Sequence, residues 1–439
     1  MADGEQPSGS SEEEMMEEGE GEDGPGAAPL RVYLPGQPLA PGEELVPDEA
    51  AYRLYQRAQS GAPCLSFDII TDGLGSQRTS YPLTLYLCAG TQADTAQANR
   101  LLVMKMHNLR GTREDSDSES SQSEEDEEEE EAKPLLEIAM VPHYGGVNRV
   151  RVKDVGGRQL AAVWCEKGQV EVWDLGEQLT AVSSAPAMSA FLRERQAKLQ
   201  PIYSFEGHMT EGFAVDWSPT VAGRLATGDC KNNIHVWDTA EPGSWTVDQR
   251  PYAGHTRSVE DIQWSPNEAT VFASCSADAS IRIWDTRASP GKACMLAREG
   301  AHGADVNVIS WNPREPFIVS GGDDGVLNIW DLRQFKAGDC VAKFKQHLGS
   351  ITSVEWHPAE SSVFAASGAD NQITQWDLAV ERDQGDEGQD EGLAALAPQL
   401  LFIHQGQEDI KELHWHPQCP GVLVSTAHTG FDIFRTISV

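Results

Sequence analysis

Histidine, serine and aspartate recur in this sequence at spacings that could build the nucleophilic triad of a hydrolase. Such a triad needs serine as the nucleophile, histidine as the base and aspartate to orient the histidine. The same set repeats in successive segments of the chain, whereas an active site normally occurs once. We therefore interpret each set, with a tryptophan, as a buried network that satisfies its own polar groups. The two clearest sets are His255, Ser274, Asp278 and Trp284, and His302, Ser320, Asp324 and Trp330.

A metal site or a phosphate-binding loop has less support. His414-Trp415-His416 places two histidines on one face of a predicted strand, but no third ligand lies at a suitable spacing. Trp356-His357-Pro358 occupies the same place in the preceding segment, which favours a structural role. The eight cysteines include no CxxC pair, and no glycine-rich loop precedes a helix. We predict a non-catalytic protein without a metal or a cofactor.

Three segments depart from the repeated set. One has Lys231 where the aspartate is expected, and another has Ala366 in place of the serine. The last segment has Gln407 at the histidine position and His428 at the aspartate position. These departures predict that the three segments depend more on apolar packing than on the polar network.

The elements that position these residues form an internal repeat. Trp-Asp pairs recur at spacings of 64, 47, 46 and 46 residues, and each segment holds short apolar runs separated by turns. This pattern is typical of the four-stranded blades of a WD-repeat propeller. A final segment has Phe434 in place of tryptophan, and residues 65–141 supply one more blade, so we predict an all-β, seven-bladed propeller. The pairs are Trp173-Asp174, Trp237-Asp238, Trp284-Asp285, Trp330-Asp331 and Trp376-Asp377.

Two helices are predicted outside the repeat. Residues 48–58 suggest an N-terminal helix, and residues 185–199 suggest a helix inserted in the longest gap between Trp-Asp pairs. The predicted organisation is a disordered acidic tail (1–30), an N-terminal arm with its helix (31–62) and a propeller (63–439). The propeller would carry an acidic loop (111–133) and an acidic insert (381–398).

The charge of the chain indicates what kind of partner it binds. Acidic residues outnumber basic ones by 69 to 33, which gives a formal charge of −36. Residues 1–23 hold ten acids and residues 114–131 hold twelve, with no base in either segment. Such a chain repels nucleic-acid backbones and anionic lipid, so we expect neither direct nucleic-acid contact nor membrane contact. A basic protein is the partner that this charge favours.

Two interpretations of the acidic tract remain open. It is either a solvated segment that aids solubility or a polyanion that captures and screens a basic protein. The tract is Glu124, Glu125, Asp126, Glu127, Glu128, Glu129, Glu130 and Glu131. Serines with an acid three residues on are candidate phosphorylation sites, and phosphate would add further negative charge. They are Ser10, Ser11, Ser116, Ser121 and Ser123.

Two consecutive segments end in Trp-Asp-x-Arg, with Arg287 and Arg333 in the last position. This resembles the motif by which some propellers dock on the adaptor of a cullin-type ubiquitin ligase. The role of substrate receptor in such a ligase is therefore an alternative function, which could coexist with the binding of basic clients.

Long stretches of the chain resemble the family of glutamate-rich WD-repeat proteins, from about residue 32 to the end. The stretches are Val32-Tyr33-Leu34-Pro35-Gly36, residues 82–91, residues 140–146 and residues 434–439. This family is similar to the histone-binding retinoblastoma-associated WD-repeat proteins, in which an acidic insert precedes a Leu-Leu-Phe-Ile-His run. Here the run is 400–404. Of the twin prolines that end the insert in those proteins, only Pro398 remains, preceded by Ala397.

The resemblance implies a nuclear and nucleolar chaperone. Such a protein would escort a basic large-subunit ribosomal protein, number three in the standard naming, to pre-ribosomal particles. It would also bind core histones and chromatin. We expect it to act as a monomer.

The resemblance and the chemistry together predict a client-binding groove between the N-terminal helix and the acidic insert. Leu54 and Tyr55 would form its floor, beside Phe402 and Ile403 at the start of the last blade. An acidic lip over an apolar floor suits a basic amphipathic helix. The alternative is that the helix packs its apolar side on the propeller and the insert is only a loop. The lip residues are Asp383, Asp386, Glu387, Asp390 and Glu391.

Overall fold

The computed structural model describes residues 33, 40, 43, 45–112, 133–194, 198–241, 243–336, 338–381 and 396–439. The chain divides into two compact units, Met1–Val46 and Pro47–Val439. In the first unit, the backbone N–H of Ala40 donates to Glu43 Oε2 over 2.8 Å. The predicted disordered tail, most of the acidic loop and most of the acidic insert lie outside the described residues.

The second unit is built from short strands. The first nine are β1 (Tyr52–Ala58), β2 (Cys64–Ile70), β3 (Leu83–Thr91), β4 (Arg100–Leu109), β5 (Leu135–Pro142), β6 (Val147–Val155), β7 (Arg158–Cys165), β8 (Val170–Asp174) and β9 (Tyr203–Phe205). The next nine are β10 (Ala214–Trp217), β11 (Leu225–Gly228), β12 (Ile234–Glu241), β13 (Ser244–Val247), β14 (Val259–Trp264), β15 (Val271–Ser276), β16 (Ile281–Asp285), β17 (Cys294–Arg298) and β18 (Val306–Trp311). The others are β19 (Phe317–Gly322), β20 (Leu327–Asp331), β21 (Ala342–Phe344), β22 (Ile351–Trp356), β23 (Val363–Gly368), β24 (Gln372–Asp377), β25 (Leu400–Gln405), β26 (Glu412–Trp415), β27 (Val422–Ala427) and β28 (Gly430–Thr436).

These strands form seven four-stranded antiparallel sheets, which confirms the seven-bladed propeller. Blades 1 to 6 each take four consecutive strands, from β2–β5 in blade 1 to β22–β25 in blade 6. Blade 7 has the order β1-β28-β27-β26, so the first strand of the chain completes the last blade. Pairing the two ends of the chain in one sheet closes the ring and leaves no unpaired edge on β28.

The predicted N-terminal helix is wrong. Glu49–Ala51 forms a short 3-10 turn, capped by the Asp48 side chain, and Tyr52–Ala58 is strand β1. Within this strand Tyr52 and Leu54 are buried while Arg53 is exposed, which is the two-residue alternation of a strand. The free edge of β28 supplies a partner, with Tyr55 opposite Phe434, and this tertiary pairing overrides the local helix signal. The propeller therefore begins at Tyr52 and not at residue 63.

The inserted helix is present in shorter form and with a companion. Between β8 and β9 the chain forms α1 (Gly176–Ala181) and α2 (Ala185–Glu194). Phe191 and Ala181 pack into the apolar core between blades 1 and 2. Two further 3-10 turns are Ala96–Ala98 and Pro290–Lys292. Among the described residues, no helix is long and apolar enough to cross a bilayer.

The strand order gives the propeller two distinct faces. On one face, which we call the histidine face, each loop runs from the outer strand of one blade to the inner strand of the next. The loops that lead into blades 3 to 6 carry the repeat histidine. On the other, the Trp-Asp face, lie the turns after the inner strands and the loops after the Trp-Asp pairs. The acidic loop joins β4 to β5 and the acidic insert joins β24 to β25, so both leave the Trp-Asp face.

Side chains join the inner strands of adjacent blades. These strands have free backbone N–H groups because their inner edge faces the central channel. Asp216 in blade 3 accepts from Trp264 N over 2.7 Å, and Asp261 in blade 4 accepts from Ile309 N over 3.1 Å. Polar side chains in the channel therefore satisfy backbone donors that would otherwise be buried and unpaired.

Candidate functional site

The repeated histidine sets form the buried networks predicted from the sequence. His255 Nε2 lies 2.7 Å from Ser274 Oγ, and His255 Nδ1 lies 3.1 Å from Asp278 Oδ2. The Trp284 indole N–H donates to the same serine oxygen over 2.8 Å. Burial lowers the pKa of His255, so the imidazole is neutral at pH 7. The serine accepts from the tryptophan and is enclosed by its blade, so this arrangement locks strands together.

The second set has the same geometry in blade 5. His302 Nε2 lies 2.7 Å from Ser320 Oγ, and His302 Nδ1 lies 3.0 Å from Asp324 Oδ1. The Trp330 indole N–H donates to Ser320 over 2.8 Å. Both of these partners of the histidine, and the tryptophan that bonds the serine, come from one blade, which fits a structural role repeated around the ring.

The prediction that blades with an altered set rely on apolar packing is wrong for two of them. In blade 3, Asp229 supplies the carboxylate that was expected at the position of Lys231, and its Oδ2 lies 3.0 Å from His208 Nδ1. Thr227 supplies the hydroxyl. In blade 6, Thr374 on the tryptophan strand replaces the hydroxyl lost at Ala366. Each polar network survives because a neighbouring position supplies the missing group, which a fixed spacing in the sequence cannot show.

Blade 7 replaces the set with a different network at the junction with blade 6. Gln407 accepts from Ser425 Oγ over 2.5 Å, whereas His428 is exposed. Phe434 stacks on His404, with ring centroids 4.1 Å apart. His404 is fully buried and lies 2.8 Å from the Tyr52 hydroxyl. The N-terminal strand is therefore tied to blade 6 as well as to its own blade.

The client groove stays a prediction, because its acidic lip lies outside the described residues. We call the junction where it would lie the closure seam (β1, β25 and β28). The Tyr52 and Phe402 rings meet edge to face at 5.4 Å, so the N-terminal segment and the run after the insert do adjoin. Phe402 and Ile403 are half-buried in β25, which is the outer strand of blade 6 and not the first strand of the last blade.

The two predicted floor residues differ in accessibility. Leu54 is fully buried in the apolar core between blades 7 and 1, so it cannot contact a client. Tyr55 is half-buried, and its hydroxyl donates to Asp432 over 3.1 Å while accepting from Arg57 Nε over 2.8 Å. Burial is the main cause that raises the pKa of Tyr55 to about 12, so the phenol stays neutral. Its ring stacks on Tyr52, with centroids 5.0 Å apart, and the Arg57 guanidinium lies 5.2 Å from its centroid.

The acidic residues predicted to bind clients lie outside the described residues, but the points where these segments leave the propeller are defined. At the acidic loop, Thr112 donates from its backbone N–H to Arg53 O over 3.2 Å and from its hydroxyl to Tyr52 O. The Asn108 side chain donates to Lys133 O over 2.8 Å. The acidic loop is therefore rooted against β1.

The candidate phosphorylation sites also lie outside the described residues. They are Ser116, Ser121 and Ser123 in the loop, and Ser10 and Ser11 in the tail.

The acidic insert has an equally well-defined root. Gln399 Nε2 donates to Val380 O over 3.0 Å, which closes the neck of the insert. Ser438, near the end of the chain, donates to Leu401 O over 3.5 Å. The roots of the loop and of the insert thus lie on either side of blade 7, at the Trp-Asp face.

The two arginines of the Trp-Asp-x-Arg motifs are exposed and paired at the same time. The Arg287 and Arg333 side chains are 74% and 65% exposed. Each is held by the aspartate of its own motif: Arg287 Nε lies 2.9 Å from Asp285 Oδ2, and Arg333 Nη2 lies 2.7 Å from Asp331 Oδ2. The hydrogen bond from Arg287 is the main cause that lowers the pKa of Asp285 to about 2. The arginines occupy equivalent positions in adjacent blades 4 and 5.

A polar cluster in the central channel was missed by the sequence analysis. Glu412 Oε1 lies 2.6 Å from Arg149 Nη1 and 2.8 Å from Arg151 Nη2, and its other oxygen accepts from Phe67 N over 2.9 Å. Burial opposes the charge on Glu412, but the two arginines outweigh it and hold its pKa well below the ordinary value. We call Arg149, Arg151, Glu355, Glu412 and His414 the channel cluster. The available signal was the spacing of Arg149 and Arg151, since residues two apart lie on the same face of a strand.

The His414-Trp415-His416 triplet has no shared metal-binding face. His414 Nδ1 lies 3.2 Å from Glu355 Oε2, and the carboxylates of Glu355 and Glu412 outweigh burial to raise its pKa to about 10. Strand β26 ends at Trp415, and His416 instead accepts backbone N–H groups of the following turn. Within the described residues, no group of three histidine, cysteine or carboxylate side chains is arranged to hold a metal ion.

Comparison with known protein families agrees with this architecture. Residues 42–110 match the family described as histone-binding protein RBBP4, or the C subunit of the CAF1 complex. Four segments match the WD domain, G-beta repeat: residues 199–238, 247–285, 295–331 and 338–377. The first match spans the closure strand β1 and strands β2 to β4 of blade 1, and the others span the first three strands of blades 3 to 6.

Three relatives align with nearly the whole chain. Protein HEAT STRESS TOLERANT DWD 1 of Arabidopsis thaliana is 44% identical over 94% of this chain and 92% of its own. Ribosome assembly protein rrb1 of Schizosaccharomyces pombe is 41% identical over 100% of this chain and 89% of its own. Glutamate-rich WD repeat-containing protein 1 of Dictyostelium discoideum is 43% identical over 94% and 86%. The chain therefore belongs to the family of glutamate-rich WD repeat-containing proteins, with ribosome assembly protein rrb1 among its members.

Proposed function

We propose that this protein is a non-catalytic scaffold that chaperones basic proteins in the nucleus and nucleolus. Its clients are core histones and a basic large-subunit ribosomal protein that it escorts to pre-ribosomal particles. The observation that supports this proposal most is the position of the acidic loop and the acidic insert. Both are rooted at the Trp-Asp face, on either side of blade 7, which closes the ring. The names of the relatives support both client classes, since one is a ribosome assembly protein and one matched family binds histones.

The closure seam supplies the apolar part of this proposed site. Phe402, Ile403 and Tyr55 are half-buried, so each still offers surface to a partner. They lie between the root of the acidic loop, at Thr112, and the neck of the insert, at Gln399. A basic amphipathic helix placed there would meet apolar contacts along the seam and carboxylates from both sides. Phosphorylation of the serines in the acidic segments would strengthen the attraction.

The insert provides the direct test. Reversing Asp386, Glu387, Asp390 and Glu391 to lysine should weaken binding of core histones at least about tenfold, or about 1.4 kcal/mol. Attraction becomes repulsion at the proposed site, while the neck bond between Gln399 and Val380 is untouched. Isothermal titration or fluorescence anisotropy with purified histones at fixed salt measures the change.

A matched control separates local charge from total charge. Reversing four exposed acids in blades 3 to 5, Glu241, Glu268, Glu315 and Asp323, changes the net charge by the same amount. This variant should bind histones within about threefold of the parent, since rim charges remote from a site contribute little. Equal losses in both variants would show that only the overall charge matters and that the insert is not the site.

We propose a second function that could coexist with the first: docking on the adaptor of a cullin-type ubiquitin ligase. The observation that favours it is the pair of exposed arginines, Arg287 and Arg333, each fixed by its own aspartate in adjacent blades. A guanidinium held in this way keeps donors free for a partner.

Changing both arginines to alanine should abolish co-purification of the adaptor and leave histone binding unchanged. Each side chain is mostly exposed, so the propeller should keep its unfolding midpoint. Arg250, which is exposed and paired with Asp248, provides a control for the loss of a surface arginine. Adaptor recovery equal to that of the parent would exclude these arginines as the docking site.

A further inference from the structure

The central channel holds a small cavity at its Trp-Asp end that the proposed client site does not use. We call it the channel pocket. Its volume is about 250 Å³, and its walls come from the inner strands of blades 1 to 5 and from the turns that follow two of them. A second cavity of about 200 Å³ adjoins it deeper in the channel, and both are lined by Asp68, Arg151, Asp216 and Gln263. Pockets for small molecules usually measure about 300–1,000 Å³, so the channel pocket is sized for a single side chain.

The mouth of the channel pocket carries apolar side chains. Pro219 and Pro266 lie in the turns after β10 and β14, and the half-buried ring of Trp311 lies at the end of β18. Asp216 precedes the last residue of β10, so its carboxylate lies inside this mouth. A long basic side chain combines an aliphatic stem with a charged head, and this combination matches an apolar mouth with a carboxylate behind it.

Asp216 has a role in the fold that needs no charge. In blades 3 to 6, the residue before the last tryptophan of the inner strand accepts the backbone N–H of a tryptophan in the next blade. Asp216, Gln263 and Ser310 do so over 2.7, 2.9 and 3.1 Å. Glu355 makes the fourth bond over 2.8 Å. Since glutamine and serine form the same bond, the charge of Asp216 is not required to join the blades.

The charge of Asp216 is not compensated by an ion pair. Glu355, at the equivalent position in blade 6, is paired with His414, whose Nδ1 lies 3.2 Å from its Oε2. Within the part of the chain that the structure describes, no basic side chain forms an ion pair with Asp216, and its carboxylate has one hydrogen bond, from Trp264 N to Oδ2. Its Oδ1 is therefore free for a ligand in the cavities that Asp216 lines.

The surroundings of Asp216 leave the channel short of positive charge. Burial is the main cause that raises the pKa of Asp216 to about 7; its backbone N–H donor, Arg151 and Lys153 lower the pKa, and Asp261 raises it. Among the described residues of the two cavities and the channel cluster, five acids face four bases, counting His414, whose pKa is raised to about 10. The acids are Asp68, Asp216, Asp261, Glu355 and Glu412, and the bases are Arg149, Arg151, Lys153 and His414. One further cation would balance these charges.

The hydrogen bonds of the carboxylates favour lysine over arginine as the source of that cation. Both oxygens of Asp68 and both oxygens of Asp261 accept backbone N–H groups, whereas Asp216 has one oxygen free. The planar fork of arginine pairs best with the two oxygens of one carboxylate. The ammonium of lysine is a compact charge with three rotatable donors, so it suits a single free oxygen.

We propose that the channel pocket binds a lysine side chain of a basic partner protein, with the ammonium at Asp216 and the stem beside Trp311 and the two prolines. The pocket opens on the Trp-Asp face, where the acidic loop and the acidic insert are rooted. A client attracted by these segments would therefore present its lysines to the pocket. The inference rests on the proposed function for its choice of a basic protein as the source of the lysine.

Three capped peptides that differ at one residue test the channel pocket in the full-length protein. The central residue is lysine, arginine or norleucine, which has the stem of lysine without its ammonium, and the other residues are glycine and alanine. At pH 8 and about 0.3 M salt, screening weakens attraction to surface acids. The lysine peptide should then bind at least about fivefold more tightly than the norleucine peptide, and more tightly than the arginine peptide. Titration followed by ligand-observed NMR measures the affinities.

Two substitutions show whether Asp216 is responsible for this preference. Asp216→Asn keeps an oxygen for the backbone N–H of the next blade but removes the charge, so it should reduce the preference for lysine over norleucine to less than about twofold. Gln263→Glu adds a carboxylate to the same pocket and should tighten binding of the lysine peptide about threefold. Glu360→Gln is the matched control, because it removes an exposed acid from a turn of blade 6 on the same face, and it should behave as the parent does. Thermal melts check that each variant folds.

The dependence on pH gives a signature that surface carboxylates would not produce. The ionised form of Asp216 attracts an ammonium, and with a pKa of about 7 this form rises from about 10% at pH 6 to about 90% at pH 8. Affinity for the lysine peptide should therefore rise up to about tenfold from pH 6 to pH 8, while lysine itself stays charged. Asp216→Asn should remove most of this dependence, although Arg151, Lys153 and Asp261 still face the pocket.

The proposal requires that the preference depend on Asp216. Equal binding of the lysine and norleucine peptides by the parent overturns it, as does a preference for lysine that Asp216→Asn retains in full. Tighter binding of the arginine peptide than of the lysine peptide overturns the selection of lysine.

Core histones measured in parallel keep the two proposals apart. If histones bind but the parent shows no preference for the lysine peptide, the pocket proposal fails and the client function stands. If neither histones nor a basic ribosomal protein binds, the client function itself fails, whatever the peptides do.

Discussion

Glu412→Ala is expected to destabilise the propeller by about 3–5 kcal/mol, the usual result of removing one partner from a buried ion pair. The Glu412 side chain is 1% exposed, and those of Arg149 and Arg151 are 12% and 15% exposed. Without the carboxylate, the two guanidinium groups lose the ion-pair partner that they share, and Asp68 and Asp261 attract them only through longer-range interactions. The backbone N–H of Phe67 and the Ser66 hydroxyl also lose their acceptor.

The position of Glu412 in the ring adds to this loss. It lies on the inner strand of blade 7, Ser66 and Phe67 lie on that of blade 1, and both arginines lie on that of blade 2. A single carboxylate therefore connects three blades at the place where the ring closes. Urea unfolding at pH 7 measures the effect as a shift of the midpoint. The slope of the unfolding free energy against urea concentration, the m value, should stay unchanged.

Two further variants identify the cause of the loss. Glu360→Ala removes an exposed acid and should change stability by less than about 0.5 kcal/mol. Glu412→Leu combined with Arg149→Met and Arg151→Met should recover much of the stability, because buried ion networks can be replaced by apolar groups of similar volume. A loss below about 1 kcal/mol for Glu412→Ala would contradict the view that the channel cluster holds the ring.

The repeat was readable from the sequence because its signals are local. A Trp-Asp pair, a histidine upstream and turn residues between apolar runs all lie within one blade, so spacing alone places them. The His255 network is accordingly found with every predicted partner. In blade 6 the network persists because Thr374 takes over the role lost at Ala366, and such replacement depends on which side chains face one another across strands.

The misassigned features depend on contacts between distant parts of the chain. Residues 52–58 carry a moderate helix signal, yet they form a strand because the edge of β28, at the far end of the chain, offers hydrogen bonds and apolar contacts. Leu54 is buried for the same reason. The channel cluster brings residues 149, 151 and 412 together, and no spacing rule links them. Ring closure is a property of the whole chain, so local patterns give little information about it.

Removing the charge of the acidic tract is expected to produce the largest effect on function. Replacing the acids of residues 114–131 by serine and glutamine removes twelve negative charges and keeps the length of the loop. Affinity for core histones at about 0.1 M salt should fall at least about tenfold, because the polyanion would no longer attract and screen a basic client. The fold should be retained, since the bonds of Thr112 and Lys133 that root the loop are outside the changed residues.

The dependence on salt gives the sharper test of this prediction. The screening length falls from about 10 Å at 0.1 M salt to about 3 Å at 1 M, so a contribution from exposed charges should fade over that range. The parent should lose histone affinity steeply with salt, and the neutralised variant should lose it less, so that the two curves converge. A shuffled tract with the same twelve acids in a new order is the matched control and should follow the parent, because total charge and not order sets the attraction. If the neutralised variant keeps both the affinity and the salt slope of the parent, the tract serves only solubility and the apolar seam must account for client binding.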